Sequence, residues 1–403
     1  MIIDEPTRLR VIDWLTILLA ASLPWSTSAS GILSVIWLIA VIFTLMRADG
    51  RVLFTAAGGL PVVLVLLGVA GMAWAEVSLA ERWDGLDSFL KLLFIPLLLI
   101  HFRRSGRGMD VVIGYVLSCL VLMLASYAIA SLHLVLRHDP GVPVKNAATQ
   151  SSEFATCILG LTYLAYDWTM RRRWLHAGVA GALMLALFAN MAFVATGRTA
   201  LVVVLVLLPL FAIMHLAWRG IVLLAGAVVV VVAAAWFSSP YLRDRVEVLR
   251  TEVQRYEATD ARTSSGERID FAKRSIAFIR TAPVIGHGTG SIRDQFQKSA
   301  VGKTGTAGVA AANPHNQTLA IGIQLGFVGI VVLWAMWIAH LFMFRGAGLV
   351  AWMGLVVVIQ NIVGSAFNSH LFDFLQGWTY VVGVGVAGGM MLRARAARGT
   401  TGA

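Results

Sequence analysis

Long apolar runs recur along this chain, and short polar breaks separate each run from the next. A membrane hydrocarbon layer about 30 Å thick requires about 20 apolar residues for each helical crossing. Of the 403 residues, 58% are hydrophobic and only 13% are charged, a balance that leaves little sequence for a domain facing water. The sequence therefore predicts an all-α integral membrane protein with about 12 transmembrane helices.

The boundaries of the apolar runs set the predicted spans. These spans fall at residues 11–26, 30–46, 52–75, 86–102, 109–136, 149–169, 175–195, 200–218, 221–239, 317–344, 348–367 and 371–392. The first two runs are short, and only a small polar break separates them. Because Ser28-Ala29-Ser30 resembles a cleavage site, a signal peptide over residues 14–30 is the alternative interpretation of this region.

The distribution of arginine predicts the orientation of the spans. Arginines crowd into alternate short loops: Arg8 and Arg10, Arg47 and Arg51, Arg103 to Arg107, Arg171 to Arg173, Arg219, Arg345, and Arg393 to Arg398. Positive charge in short loops favours the cytoplasmic side, so both termini are expected there.

Since many of these arginines set topology, the net charge of +11 does not indicate nucleic-acid binding. Cys119 and Cys157 both lie in apolar runs and predict neither a disulfide nor a thiolate metal site.

The long polar segment at residues 240–313 divides the chain into three predicted parts. Residues 1–239 hold transmembrane helices 1–9, and residues 314–403 hold helices 10–12 and a short cytoplasmic tail. The segment between them is a basic extracytoplasmic loop with a charged helix, an amphipathic helix that Pro283 ends, and a glycine-rich stretch that reads as a flexible turn. We expect the site to lie in or beside this loop.

Two residues stand out on the side where the long loop lies. Arg198 lies between two apolar runs with no other charge nearby, on the side where positive charge is disfavoured. Its planar guanidinium suits the oxygens of a lipid-linked diphosphate. His315 directly precedes an apolar helix, where the helix dipole is expected to lower its pKa and favour the neutral imidazole of a general base. Capping of the helix at the interface is the alternative role for this histidine.

Three short patches resemble the O-antigen ligase family of bacterial membrane glycosyltransferases, which share a core with O-antigen polymerases and pilin-type protein O-oligosaccharyltransferases. The first is Gly197-Arg198-Thr199, which opens a transmembrane run. The second is Arg268 with the downstream Pro283-Val284-Ile285-Gly286-His287-Gly288-Thr289-Gly290. The third is Pro314-His315-Asn316, followed by Gly322, Gly326 and Gly329. The order of the patches and their placement around the long loop also agree with that family.

The resemblance implies a GT-C-like helical fold, with a large periplasmic loop, in the bacterial inner membrane. The implied reaction transfers O-antigen from undecaprenyl diphosphate to the lipid A core oligosaccharide with inversion, on the periplasmic face. His315 resembles the catalytic base of the family, and Arg198 and Arg268 resemble its diphosphate-binding arginines. No cofactor is implied, and the two guanidinium groups would replace a metal ion in stabilising the leaving group.

Further residues are candidates for substrate contact. Asn316 directly follows His315, and Arg137 and Lys145 lie on the loop before the sixth span, where they could contact donor sugars or phosphate. Anchoring at the membrane interface is the alternative for Arg137 and Lys145. Four acidic residues gather after the third span, at Glu76, Glu81, Asp84 and Asp87. They leave a cation site open, but no Asp-x-Asp pair occurs in the outward loops, and we expect a metal-independent enzyme. Lys91 is expected to reach the interface or to pair with Asp87.

Three alternative functions remain from the sequence. An O-antigen polymerase would use the same donor with a lipid-linked acceptor. A protein O-oligosaccharyltransferase is less favoured because those relatives generally carry a further C-terminal periplasmic region. A transporter of lipid-linked oligosaccharide would also have many helices, but transporters tend to show polar midplane residues, repeats or broken helices, which the apolar runs here do not predict.

Overall fold

The computed structural model describes residues 4–45, 47–134, 140–195, 197–259 and 262–401 of the chain. Within these ranges the protein is helical, without strands. The helices are α1 (Glu5–Ser22), α2 (Thr27–Ile42), α3 (Ala56–Gly71), α4 (Leu79–Leu90), α5 (Phe94–Arg104), α6 (Gly108–Ser131), α7 (Ala147–Met170), α8 (Trp174–Phe193), α9 (Arg198–His215), α10 (Trp218–Ser238), α11 (Pro240–Thr259), α12 (Ser264–Thr281), α13 (Ile292–Ala300), α14 (Gln317–Met343), α15 (Leu349–Ser365) and α16 (Phe374–Thr401).

The apolar helices confirm the prediction of a multi-pass membrane protein. In the described ranges, seven helical segments are long and apolar enough to cross a membrane, and α2, α3 and α15 are shorter apolar helices. With α1 and α7, these elements coincide with the predicted spans. The three helices α11, α12 and α13 lie in the long polar loop. The end of the bundle that carries them is called the loop face below.

The fourth crossing begins earlier than the sequence predicted. A 3-10 turn at Lys91–Leu93 joins α4 to α5, and the combined helix runs from Leu79 to Arg104. Its start is fixed by a capping box, in which Ser78 and Glu81 satisfy each other's backbone N–H groups. The helix therefore includes Glu81 and Asp84, which the apolar pattern alone assigned to the loop before the predicted span at residues 86–102.

Small residues allow α16 to approach α5 closely. A Cβ atom at Gly385 would lie 2.4 Å from Leu98 Cβ, and one at Gly389 would lie 2.5 Å from Phe102 Cβ. Close backbone approach of this kind supplies the van der Waals contacts that hold membrane helices together, since lipid offers no hydrophobic driving force between them. The side chains of Leu98 and Phe102 are completely buried as a result.

A buried lysine ties this helix pair to the loop that precedes α16. The ammonium of Lys91 donates to the carbonyl oxygens of Phe372 at 3.1 Å and Asp373 at 2.9 Å. The sequence predicted an interfacial lysine or a pair with Asp87, and the described residues show these carbonyls as its hydrogen-bond acceptors instead. A buried ammonium needs such partners because its desolvation is costly.

The glycine-rich stretch after α12 is anchored, in contrast to the flexible turn predicted. α14 is interrupted at Gly326, where φ is 60°. Backbone N–H groups of His287 and Gly288 donate to the carbonyls of Ile323 and Gln324 at 2.8 and 2.9 Å, just before the break. Phe327 N, just after it, donates to Pro283 O at 2.8 Å. The stretch therefore fills the interruption and satisfies backbone groups that a broken membrane helix exposes.

The polar loop has a small hydrophobic core of its own. Phe271 of α12, Ile292 and Phe296 of α13, and Ala320 and Ile323 of α14 pack together. The rings of Phe271 and Phe296 meet edge to face, with centroids 5.4 Å apart. This packing holds α12, and with it Arg268, against the first turns of α14.

Candidate active site

His315 occupies an unusual backbone position just before α14. Its φ is 53°, in the left-handed region that few residues other than glycine adopt. The side chain of Asn313 stabilises this conformation, because its Oδ1 accepts a hydrogen bond of 2.8 Å from the backbone N–H of His315. Backbone strain of this kind persists where surrounding contacts determine it, and it clusters at functional sites.

The helix cap is supplied by Asn316, the residue after His315. Asn316 Oδ1 accepts from Leu319 N at 3.0 Å, and Asn316 Nδ2 donates to Ala366 O at 3.2 Å. The capping role considered for His315 in the sequence therefore belongs to its neighbour. The imidazole is left available for another task.

Asn368, in the loop between α15 and α16, selects the tautomer of His315. Asn368 Oδ1 accepts from Asn313 Nδ2 at 3.3 Å and from His315 Nδ1 at 3.0 Å. Because that oxygen can only accept, the proton of the neutral imidazole lies on Nδ1, and Nε2 keeps its lone pair. The ring also lies nearly parallel to Phe271, with the two planes 14° apart. This arrangement can accept a proton at Nε2.

The surroundings of His315 keep its imidazole neutral. Partial burial lowers the pKa of His315 below its ordinary value, and the positive charge of Arg268 adds to that effect. The hydrogen bond to Asn368 and the charge of Glu267 oppose it. The sequence predicted the same direction from the helix dipole, whereas in the structure the leading cause is burial.

Arg268 lies on α12, one turn before Phe271, and it links the two other residues of the predicted site. Partial burial lowers its pKa, and the charge of Arg198 does so further, while Glu252 acts in the opposite direction. Arg268 is therefore in electrostatic range of both Arg198 and His315. In the part of the chain that the structure describes, neither guanidinium makes a protein hydrogen bond or ion pair. Both remain able to bind an anion.

Arg198 is the first residue of α9, and its neighbour Gly197 allows α9 to begin against α7. A Cβ atom at Gly197 would lie 2.7 Å from Ser151 Cβ, so a larger residue would push the two helices apart. The side chain of Arg198 is exposed. Its position at a helix N-terminus adds the positive end of the helix dipole to its own charge.

The remaining predicted substrate-binding residues have different positions. Lys145 is exposed in the loop before α7, with Nζ 3.9 Å from Asp373 Oδ2. The side chain of Asn316 is engaged in the cap described above. Arg137 lies outside the described residues. Substrate contact by these three residues stays a prediction.

Asn368 and Phe271 were missed in the sequence. Phe271 lies three residues after Arg268 on an amphipathic helix, a spacing that places both on one face. Asn368 is 53 positions from His315, and a polar residue between two predicted spans was the only available signal. Only tertiary structure brings the α15–α16 loop beside the start of α14.

One comparison with known protein families found a match over this region of the chain. Residues 183–334 match the family model described as O-Antigen ligase. The matched region runs from α8 into α14 and includes Arg198, Arg268 and His315. Among curated proteins, no match to this sequence was found.

Proposed function

We propose that this membrane protein is a lipid A core:O-antigen ligase, because residues 183–334 match the O-antigen ligase family model. The donor is an O-antigen glycan on undecaprenyl diphosphate, and the acceptor is the core oligosaccharide of lipid A. The reaction takes place on the periplasmic face of the bacterial inner membrane, which is the loop face of the bundle. The observation that carries this proposal is the position of His315, whose Nδ1 is held by Asn368, within electrostatic range of Arg268, which is itself within range of Arg198. Among the described residues, neither guanidinium has a hydrogen-bond or ion-pair partner.

His315 acts as the general base. Its Nε2 takes the proton from an acceptor hydroxyl as that oxygen attacks the anomeric carbon of the donor sugar. A new glycosidic C–O bond forms, and the bond from the anomeric carbon to the diphosphate oxygen breaks, with inversion of configuration. A hydroxyl is a poor nucleophile at neutral pH, so the position and protonation state of the imidazole determine the rate of this step.

Arg198 and Arg268 bind the diphosphate and stabilise the negative charge that it gains as it leaves. Guanidinium groups that are already in place need little reorganisation in the transition state, which makes their electrostatic contribution large. Two adjacent cations repel each other without an anion between them, as the effect of Arg198 on the pKa of Arg268 indicates. The site therefore favours a dianionic group over a neutral one.

The interruption of α14 does not favour the transporter alternative. Broken helices in transporters line the substrate passage. Here the stretch from Pro283 to Gly288 makes backbone hydrogen bonds to the residues on both sides of Gly326. Protein backbone therefore occupies the break in α14, where a transporter would have its substrate passage.

The test is an in vitro transfer assay with the purified protein in detergent. The donor is undecaprenyl-diphosphate-linked glycan, offered with and without lipid A core, in the presence and absence of a chelator. We expect glycan on the lipid A core, formed despite chelation by the wild-type protein and reduced at least about 100-fold in His315→Ala. His176→Ala, an exposed histidine at the opposite end of the bundle, is the matched control.

Each other result would change the assignment. Polymer on the undecaprenyl carrier would identify a polymerase, and failure to form any covalent product would reopen the transporter alternative. Full activity of His315→Ala would refute the assignment of the base. Loss of product on chelation would refute metal independence.

A further inference from the structure

An apolar cavity lies inside the membrane-spanning bundle, away from the proposed active site. Its volume is about 490 Å³, and α1, α6, α7, α15 and α16 line it. On α7 the lining runs from Thr156 to Trp168, and at about 1.5 Å per residue this distance is about 18 Å along the helix axis. The cavity therefore follows the membrane normal and is large enough for a substantial length of hydrocarbon.

The lining of the cavity is suited to hydrocarbon and poorly suited to water. Tyr115 donates its hydroxyl proton to Glu153, and Thr379 Oγ1 donates to Leu375 O at 2.9 Å. Thr156 Oγ1 lies within hydrogen-bond distance of two acceptors, Ser152 O at 2.9 Å and Gln360 Oε1 at 2.7 Å. With these hydroxyl groups already engaged, the cavity offers few polar partners, whereas a stable buried water needs two to four.

The cavity has an entrance from the lipid. Ile113 and Leu117 of α6 line it, and they are 51% and 56% exposed. Both residues lie within a candidate membrane span, so the medium that they face is hydrocarbon. A chain can therefore enter sideways from the bilayer, without passing through water.

The depth of the cavity indicates which hydrocarbon chain occupies it. Met109, Trp168 and Leu349 lie at the ends of α6, α7 and α15 that are opposite the loop face. An acyl chain whose headgroup lies at the loop face reaches only about 15 Å, half of the hydrocarbon thickness. A chain from that face must be considerably longer to occupy the far end of the cavity, and an undecaprenyl chain is several times longer than an acyl chain.

α7 lines the near end of the cavity and also makes the contact with Gly197 that positions Arg198. Thr156 is five residues along α7 from Ser151, against which Gly197 packs. This separation is about 7–8 Å along the helix axis. We propose that the cavity binds the polyprenyl chain of the donor while its diphosphate lies at Arg198 and Arg268. This inference rests on the donor class assigned under the proposed function.

Gly160 offers a clean test because a Cβ atom there would meet no other atom within 4 Å. Gly160 lines the cavity, so Gly160→Leu would fill part of it without displacing a neighbour. Gly181→Leu on α8 is the matched control, since a Cβ atom at Gly181 also meets nothing within 4 Å and Gly181 does not line the cavity. Thermal unfolding of both variants in detergent checks that they are folded.

Binding is measured by native mass spectrometry with undecaprenyl diphosphate, isopentenyl diphosphate and phosphatidylglycerol as probes. We expect Gly160→Leu to weaken undecaprenyl diphosphate binding about tenfold. Isopentenyl diphosphate has a single isoprene unit, too short to reach Gly160, which lies about 13 Å along α7 from Ser151. It should therefore bind the wild type and Gly160→Leu equally, and Gly181→Leu should bind all three probes as the wild type does. Equal undecaprenyl diphosphate affinity in wild type and Gly160→Leu would overturn the proposal. Selective loss of phosphatidylglycerol would also overturn it and would assign the cavity to a phospholipid of the opposite leaflet.

Because this measurement requires no turnover, its result is independent of the transfer assay. Suppose that the wild type transfers no glycan, while Gly160→Leu weakens binding of undecaprenyl diphosphate but not of the short-chain diphosphate. This result would refute the ligase assignment and retain the polyprenyl site. A protein that transfers glycan with undiminished undecaprenyl diphosphate binding in Gly160→Leu would retain the ligase and refute the cavity assignment.

Discussion

The hydrogen bond between Asn368 and His315 is the contact that makes the histidine a usable base. The amide oxygen of Asn368 receives both Asn313 Nδ2 and His315 Nδ1, so the imidazole proton is held away from Nε2. In this arrangement Asn368 is a positioning residue, which acts through His315 without touching the substrate. Residues that orient a reactive group in this way commonly affect activity 10- to 100-fold.

Substitution of Asn368 should therefore affect turnover more than donor affinity. We expect Asn368→Ala to lower kcat about 10- to 100-fold with little change in KM. Asn368→Asp retains an acceptor and adds a negative charge, which raises the pKa of His315. Its kcat/KM should rise with pH as in the wild type, but with the half-maximum displaced to higher pH. Loss of activity in both variants without any displacement would indicate a structural role only.

A second prediction at this scale concerns the charge of Arg268. Because burial and the charge of Arg268 lower the pKa of His315, the wild-type base is deprotonated above a midpoint lower than the ordinary value of about 6.5. Removal of that charge in Arg268→Gln should raise the pKa, so activity should appear only at higher pH. Arg268→Lys keeps the charge and should keep the midpoint while donor use weakens.

The exposed Arg280 lies on the same helix and serves as the control for this measurement. The pH profile of kcat/KM for Arg280→Gln should superimpose on that of the wild type. An Arg268→Gln midpoint that equals the wild-type value would contradict the electrostatic coupling between Arg268 and His315.

At the scale of secondary-structure elements, the interruption of α14 shows what the glycines of the family-like patches do. Gly326 has a φ of 60°, and a Cβ atom there would lie 2.4 Å from the carbonyl of Val284. Gly286 on the opposing stretch approaches the carbonyl of Gln324 equally closely, at 2.5 to 2.6 Å. Two backbones therefore meet without side chains between them, and His287 and Gly288 can donate to the broken helix.

Gly326→Ala should disrupt this contact. The substitution combines a strained backbone conformation with a steric clash, each of which costs about 1–3 kcal/mol. We expect a clearly lower melting temperature in detergent and reduced transfer activity. Gly302→Ala is the matched control because Gly302 has a similar φ of 72° but open space around its Cβ position. Equal melting temperatures for the two variants would show that the close approach contributes nothing beyond backbone strain.

At the scale of the whole molecule, the predicted topology places the arginines of the long loop on one side of the membrane. It places the arginines of the charge-rich short loops on the other side. The native Cys119 and Cys157 are both buried, so single cysteines introduced at exposed arginines can report sidedness with little background. A membrane-impermeant maleimide added to intact spheroplasts should label Arg280→Cys on the loop face. Arg173→Cys, at the opposite end of the bundle, should react only after permeabilisation. The reverse pattern would place the proposed active site in the cytoplasm.

The sequence alone determined the membrane class and most of the helical spans, and it predicted three residues of the proposed site, because these features depend on local composition. A span needs only enough apolar residues in succession, and the patches around Arg198, Arg268 and His315 are contiguous in the chain. Local pattern failed where long-range contacts decide the outcome. The partners of the stretch after Pro283 lie on α14. The early start of the fourth crossing is an exception, because the capping box between Ser78 and Glu81 is a local signal that the apolar pattern does not include. Asn368 and the apolar cavity were likewise decided by tertiary structure alone, since a hydrogen bond across 53 residues and the space between five helices exist only after the helices have packed.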